Sequence, residues 1–136
     1  MERCVRLSCP YHDIHLVQFA ASAWNGAFGG STLFYANYGD LADAADILMG
    51  FPMNLQDTRE LTFGDFKSES ASGALALRLS CTDGAGHCRL QLTLQKSANE
   101  RVELCGPVEP AALDEFVKQM KSLNSSLVGS AVLPFA

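Results

Sequence analysis

The feature that most restricts this chain is a run of alternating leucines. Leu75, Leu77, Leu79 and Cys81 are interleaved with Ala76, Arg78 and Ser80, and Cys88, Leu90, Leu92 and Leu94 with Arg89, Gln91, Thr93 and Gln95. A period of two is what a half-buried β-strand requires, because successive side chains point to opposite faces. Between the two runs, Asp83-Gly84-Ala85-Gly86 turns the chain, and after Ser97-Ala98-Asn99 a third strand puts Val102 and Leu104 inward and Glu103 outward. The expectation is an antiparallel meander with one wet face.

The remaining segments read as a mixture of strands and two helices. A short strand is expected over 3–8, a longer one over 13–24, and others over 31–38 and 58–66, with 13–24 and 31–38 joined by the glycine-rich 25–30 loop. A polar loop is expected over 67–73. Leu41, Ala44, Ala45 and Leu48 recur at helical spacing, with Asp40 placed to cap the first turn and Gly50 and Pro52 to end the helix. Pro110 opens a second helix, and Leu113, Phe116, Val117, Met120 and Leu123 form its apolar stripe, with Asn124 as its end. The apolar 128–135 tail is suited to docking or adding an edge strand, with pairing limited by Pro134. The fold class that follows is α+β, with 1–136 as a single domain. It is a single antiparallel, meander-rich sheet of about six strands carrying two helices, with the 110–123 helix packed on the leucine face.

Charge and hydropathy exclude several functions. No run approaches the roughly 20 apolar residues of a membrane-crossing helix, so no membrane partner is expected. A net charge of −5 argues against nucleic acid, whose phosphates call for a basic stripe. The opening Met-Glu-Arg-Cys-Val-Arg lacks the apolar stretch of an export signal, and the cysteines are odd in number and irregularly spaced. Both point to a bacterial-type cytoplasm with reduced thiols. Cys81 and Cys88 flank the hairpin turn, where a disulfide is geometrically open, but packed thiols are the default.

No nucleophile elbow, phosphate-binding loop, paired-histidine zinc helix or Cys-x-x-Cys motif is present. Cys9, His12 and His15 are the nearest approach to a metal-ligand set, although an extended segment turns the two histidines to opposite sides. His87 and Cys88 are strand neighbours that face apart, which rules them out as a base–nucleophile pair and leaves His87 free to bond Asp83. The expectation leans against an enzyme, with no cofactor and no catalytic residue.

One charge feature carries a functional reading. Between Arg6 and Arg59 there is no Lys or Arg for 52 residues, while Asp13, Asp40, Asp43, Asp46 and Asp57 all fall there. Trp24, Phe28, Phe34, Tyr35 and Tyr38 occupy the same stretch around the glycine-rich turn. Acidic surroundings speed the encounter with a basic partner, and aromatics anchor interfaces. The candidate binding residues are therefore Trp24, Phe28, Tyr35, Tyr38, Asp40, Asp43 and Asp46, for a protein partner of basic character. Two alternatives stand beside this one. In one, the 24–38 aromatics line the pocket of a small enzyme or ligand-binding protein; in the other, exposed apolar surface pairs two copies into a homodimer.

The 81–90 passage, Cys-Thr-Asp-Gly-Ala-Gly-His-Cys-Arg-Leu, and the 108–116 passage, Val-Glu-Pro-Ala-Ala-Leu-Asp-Glu-Phe, resemble small bacterial α+β proteins of immunity type. The resemblance spans about residues 74–127, the C-terminal half of the chain. It implies a non-enzymatic helper that neutralises a toxin, and it carries over no catalytic residue.

Overall fold

In the computed structural model, which describes residues 1–67 and 72–136, the leucine runs pair as their period requires. The elements in chain order are β1 (Cys4–His12), β2 (Val17–Trp24), β3 (Gly29–Ala36), α1 (Asp40–Leu48), β4 (Thr58–Gly64), β5 (Ala74–Cys81), β6 (Cys88–Ser97), β7 (Glu100–Val108), α2 (Pro110–Ser126) and β8 (Ser130–Pro134). Leu77 lies opposite Leu92, and Leu92 opposite Leu104, so the apolar residues of β5, β6 and β7 line one face across the strands. β4 extends that face, with Leu61 opposite Leu77 and Phe63 opposite Leu75. Of the polar 67–73 segment, positions 68–71 lie outside the described residues.

The α+β class and the antiparallel pairing agree with the expectation, whereas the single sheet of about six strands does not. The eight strands form two four-stranded sheets, ordered β3-β2-β1-β8 and β4-β5-β6-β7. The reason lies in the N-terminal strands, which carry an apolar face of their own. Val5, Leu7, Val17, Phe19, Ala21 and Phe34 are all buried, and both sheet faces join the helices in one continuous core. The tail supplies the fourth strand of the N-terminal sheet, pairing antiparallel with β1 and burying Ala131 and Leu133.

β3 joins the two sheets by running across the strand ends of the second. Thr32 Oγ1 donates to the Gln95 carbonyl on β6 at 2.7 Å, and the Gly73 amide donates to the Leu33 carbonyl at 2.9 Å. Phe34 stacks on Phe63 of β4 with ring centroids 5.0 Å apart. Gly73 is required here, since a Cβ at that position would overlap Thr32 Oγ1 and the Leu33 carbonyl.

α1 buries Leu41, Ala44, Ala45 and Leu48 as its spacing predicts. Its N-cap is Gly39 rather than Asp40, and the Asp40 carboxylate instead accepts from the Asn37 amide at 2.9 Å, outside the helix. The C-terminal end is fixed by Arg59 of β4. That guanidinium donates to the Ile47 and Met49 carbonyls at 2.8 and 3.0 Å and grips Asp57 through two nitrogens. These bonds satisfy carbonyls that a helix end leaves open, and they hold α1 beside β4.

α2 continues two residues past Asn124 and lies beside β8 and α1. Its apolar stripe is buried with the leucine face, since Leu113, Phe116, Met120 and Leu123 belong to the same continuous core as Leu77, Leu92 and Phe34.

Candidate functional site

The five aspartates of the charge-poor stretch account for the whole net charge of −5, since the rest of the chain carries ten acidic and ten basic residues. Folding gives each of them a different setting. Asp57 is bound to Arg59, and Asp46 lies 3.1 Å from Lys121 of α2. Asp13 accepts from the His15 and Leu16 amides at 2.8 and 3.0 Å, and these two bonds hold its carboxyl below the usual carboxylate range. Asp40 and Asp43, one helical turn apart on α1, are in no ion pair among the described residues.

Asp40 and Asp43 line a groove of about 610 Å³ between α1 and the outer edge of β4. Tyr35 closes one end, Ile47 lies along the helix flank, and Glu60 and Thr62 stand on the β4 side. No Lys or Arg lines it among the described residues. The nearest counter-charge to Glu60 is Arg78 Nε at 3.4 Å, in a largely exposed pair that is worth little in water. Counting that pair as neutral, the groove carries two uncompensated carboxylates. Tyr35 and Ile47 are exposed by 50% and 44%, so the apolar surface at the groove is open to a partner.

Two further tyrosines lie next to it. In the N-terminal sheet Tyr11 and Tyr35 flank Gln18 in one row, which puts both rings on the outer face. The Tyr11 hydroxyl donates to the Asp13 carboxylate at 3.1 Å, and the Tyr38 hydroxyl donates to the Asp13 carbonyl. The Asp13 carboxylate raises the Tyr11 pKa, first through that hydrogen bond and then through its charge. Three half-exposed tyrosines therefore surround the 13–16 turn beside the acidic groove.

The structure thus brings together Tyr35, Tyr38, Asp40 and Asp43, and adds Tyr11, Ile47 and Glu60, which the sequence did not single out. No local signal marks Tyr11 or Glu60, since their places depend on strand pairing. Asp46 is turned to α2 and neutralised there. Trp24 and Phe28 sit at the opposite end of the β2–β3 hairpin, six ladder rows from Tyr35, or about 20 Å at the rise of a β-strand. Trp24 instead borders a separate hollow of about 590 Å³ with Met1, Cys4, Arg6 and Gly29.

The other candidates have local roles. The Cys9 thiol donates to the Tyr11 carbonyl, and His15 belongs to the turn built on Asp13. Among the described residues no three His, Cys, Asp or Glu side chains are grouped so as to hold a metal ion. His87 Nδ1 meets Asp83 Oδ2 at 2.7 Å across the β5–β6 turn, which raises the imidazole pKa and lowers that of the carboxyl. Cys88 lies on the buried face opposite Cys81, both as free thiols, and burial followed by the Cys81 thiol pushes its pKa up to about 11. No protein-family model, curated protein or solved structure matches the chain.

Proposed function

We propose that this chain is a non-enzymatic protein-binding module whose α1–β4 groove receives a basic protein. The observation that carries the reading is the groove itself, in which Asp40 and Asp43 stand beside Tyr35 and Ile47 with no Lys or Arg in its lining among the described residues. Complementary charge accelerates encounter and selects among partners, while aromatic and aliphatic side chains supply the desolvated anchor. The immunity-type resemblance of the C-terminal half supports a partner of this charge. A toxin that cleaves nucleic acid is basic where it meets phosphate, and a bacterial cytoplasm is where its helper would act.

The test compares the wild-type protein with the Asp40→Asn/Asp43→Asn double variant as bait in a lysate of the source cells. Bound proteins are identified by mass spectrometry, and the affinity of the purified partner is then measured. The reading expects a partner of net positive charge. Its affinity falls about tenfold or more in the double variant, and again between about 0.05 and 0.5 M salt. A partner held equally by both proteins, or only salt-insensitive self-association, overturns it.

A further inference from the structure

Two four-stranded sheets have four edges, and an edge strand offers unpaired backbone donors and acceptors that a protein must either protect or use. On three of these edges at least one outward backbone group is bonded. On β3 the Leu33 carbonyl accepts from the Gly73 amide. On β7 the Cys105 carbonyl accepts from Asn25 Nδ2 at 2.9 Å and the Pro107 carbonyl from the Ala136 amide at 2.9 Å. On β8 the Val132 amide donates to Gln119 Oε1 of α2 at 2.8 Å. β4 differs. From Glu60 to Gly64 its side turned away from β5 meets no backbone partner among the described residues. That stretch is the floor of the acidic groove.

We infer that the partner enters this groove as an extended basic segment that adds a fifth strand to the β4 edge beneath α1. The inference rests on the reading above and specifies how the partner is held. In an antiparallel ladder a residue turns both its N–H and its C=O to the same side, so alternate residues of the 60–64 stretch present paired groups to the groove. A segment lying there bonds to these groups through its own backbone, whatever its sequence. Its side chains alternate between two surroundings. On one side they reach Asp40, Asp43 and Ile47 of α1, and on the other they stand beside Glu60 and Thr62. The uncompensated Asp40 and Asp43 on the α1 side select lysine or arginine, and Ile47 and Tyr35 accept an apolar neighbour. Charge complementarity thus decides the occupant, and the uncapped edge decides its conformation.

The probe is a synthetic seven-residue peptide alternating Lys and Val, with a Glu–Val peptide as control. Two further versions carry backbone N-methyl groups on alternate residues, one in each frame. Affinity and amide hydrogen exchange of the full-length protein are followed together. The expected result is saturable binding of the Lys–Val peptide with exchange slowed about tenfold or more within 60–64. One N-methylated frame should abolish both effects and the other should leave them, because only alternate residues face β4. Binding that ignores N-methylation in either frame and leaves 60–64 unprotected overturns strand addition while leaving an electrostatic groove intact. No saturable binding up to about 1 mM peptide also overturns it. Protection of 60–64 that grows with protein concentration in the absence of peptide gives the edge to a second copy of this chain, and overturns it as well. The Asp40→Asn/Asp43→Asn capture experiment decides the underlying reading independently of all these outcomes.

Discussion

Phe34 is the side chain on which the association of the two sheets most directly depends. Only 1% of it is exposed, its ring stacks on Phe63 of the second sheet at 5.0 Å, and it meets Phe19 of its own sheet at 5.9 Å. Replacing it by alanine removes a fully buried ring from the junction, where β3 is also tied by Thr32 and Gly73 and so cannot collapse into the void. Phe→Ala at such a site costs about 3–5 kcal/mol, including the cavity left behind. Ring–ring packing accounts for about 0.5–1.5 kcal/mol of coupling between Phe34 and Phe63 beyond area burial, which a double-mutant cycle with Phe63→Leu isolates. Unfolding in urea, followed by the fluorescence of Trp24 and by circular dichroism, gives the measurement. With a slope of about 2 kcal/mol/M, Phe34→Ala should lower the midpoint by about 2 M and leave the slope unchanged. A loss below about 1 kcal/mol would refute a shared core centred on this contact. Two separated transitions in the wild-type protein would refute it equally, since sheets joined by one core unfold together.

Two further outcomes follow from individual side chains. The Asp83 carboxylate should keep the His87 imidazole titrating above its ordinary 6.5 in an NMR titration, and Asp83→Asn should lower it toward that value. The stability due to the raised imidazole is complete below 6.5 and lost as pH rises through the raised value. That due to the lowered Asp83 carboxyl is complete above its ordinary 3.8 and lost as pH falls through the lowered value. A His87 titration that Asp83→Asn leaves unmoved contradicts this. With its pKa near 11, the Cys88 thiol is ionised at pH 7 only to about one part in ten thousand. Iodoacetamide labelling read by mass spectrometry should find Cys88 far slower in the folded protein than in urea, and equal rates would remove the case for its burial.

The sequence determined what depends on neighbours along the chain. The Leu75–Leu77–Leu79 and Leu90–Leu92–Leu94 alternations fixed two strands and the buried face of each, because the pleat sends every second side chain the same way. Pro110 and the Leu113–Leu123 stripe fixed α2, and the three-residue spacing of Asp40 and Asp43 placed them on one side of α1. The 52-residue gap in positive charge located the acidic region. Alternation does not say which strand is whose neighbour, however, and so it could not divide eight strands into two sheets. That division was decided by long-range backbone pairing such as β1 with β8, and by two apolar faces that share one core with the helices. The site divides in the same way. Tyr35, Asp40 and Asp43 were legible because they are close in sequence. The removal of Asp46 by Lys121, the arrival of Tyr11 and Glu60, and the distance of Trp24 and Phe28 were set by tertiary structure. So was the uncapped edge of β4, because whether a backbone group is satisfied depends on what folding brings beside it.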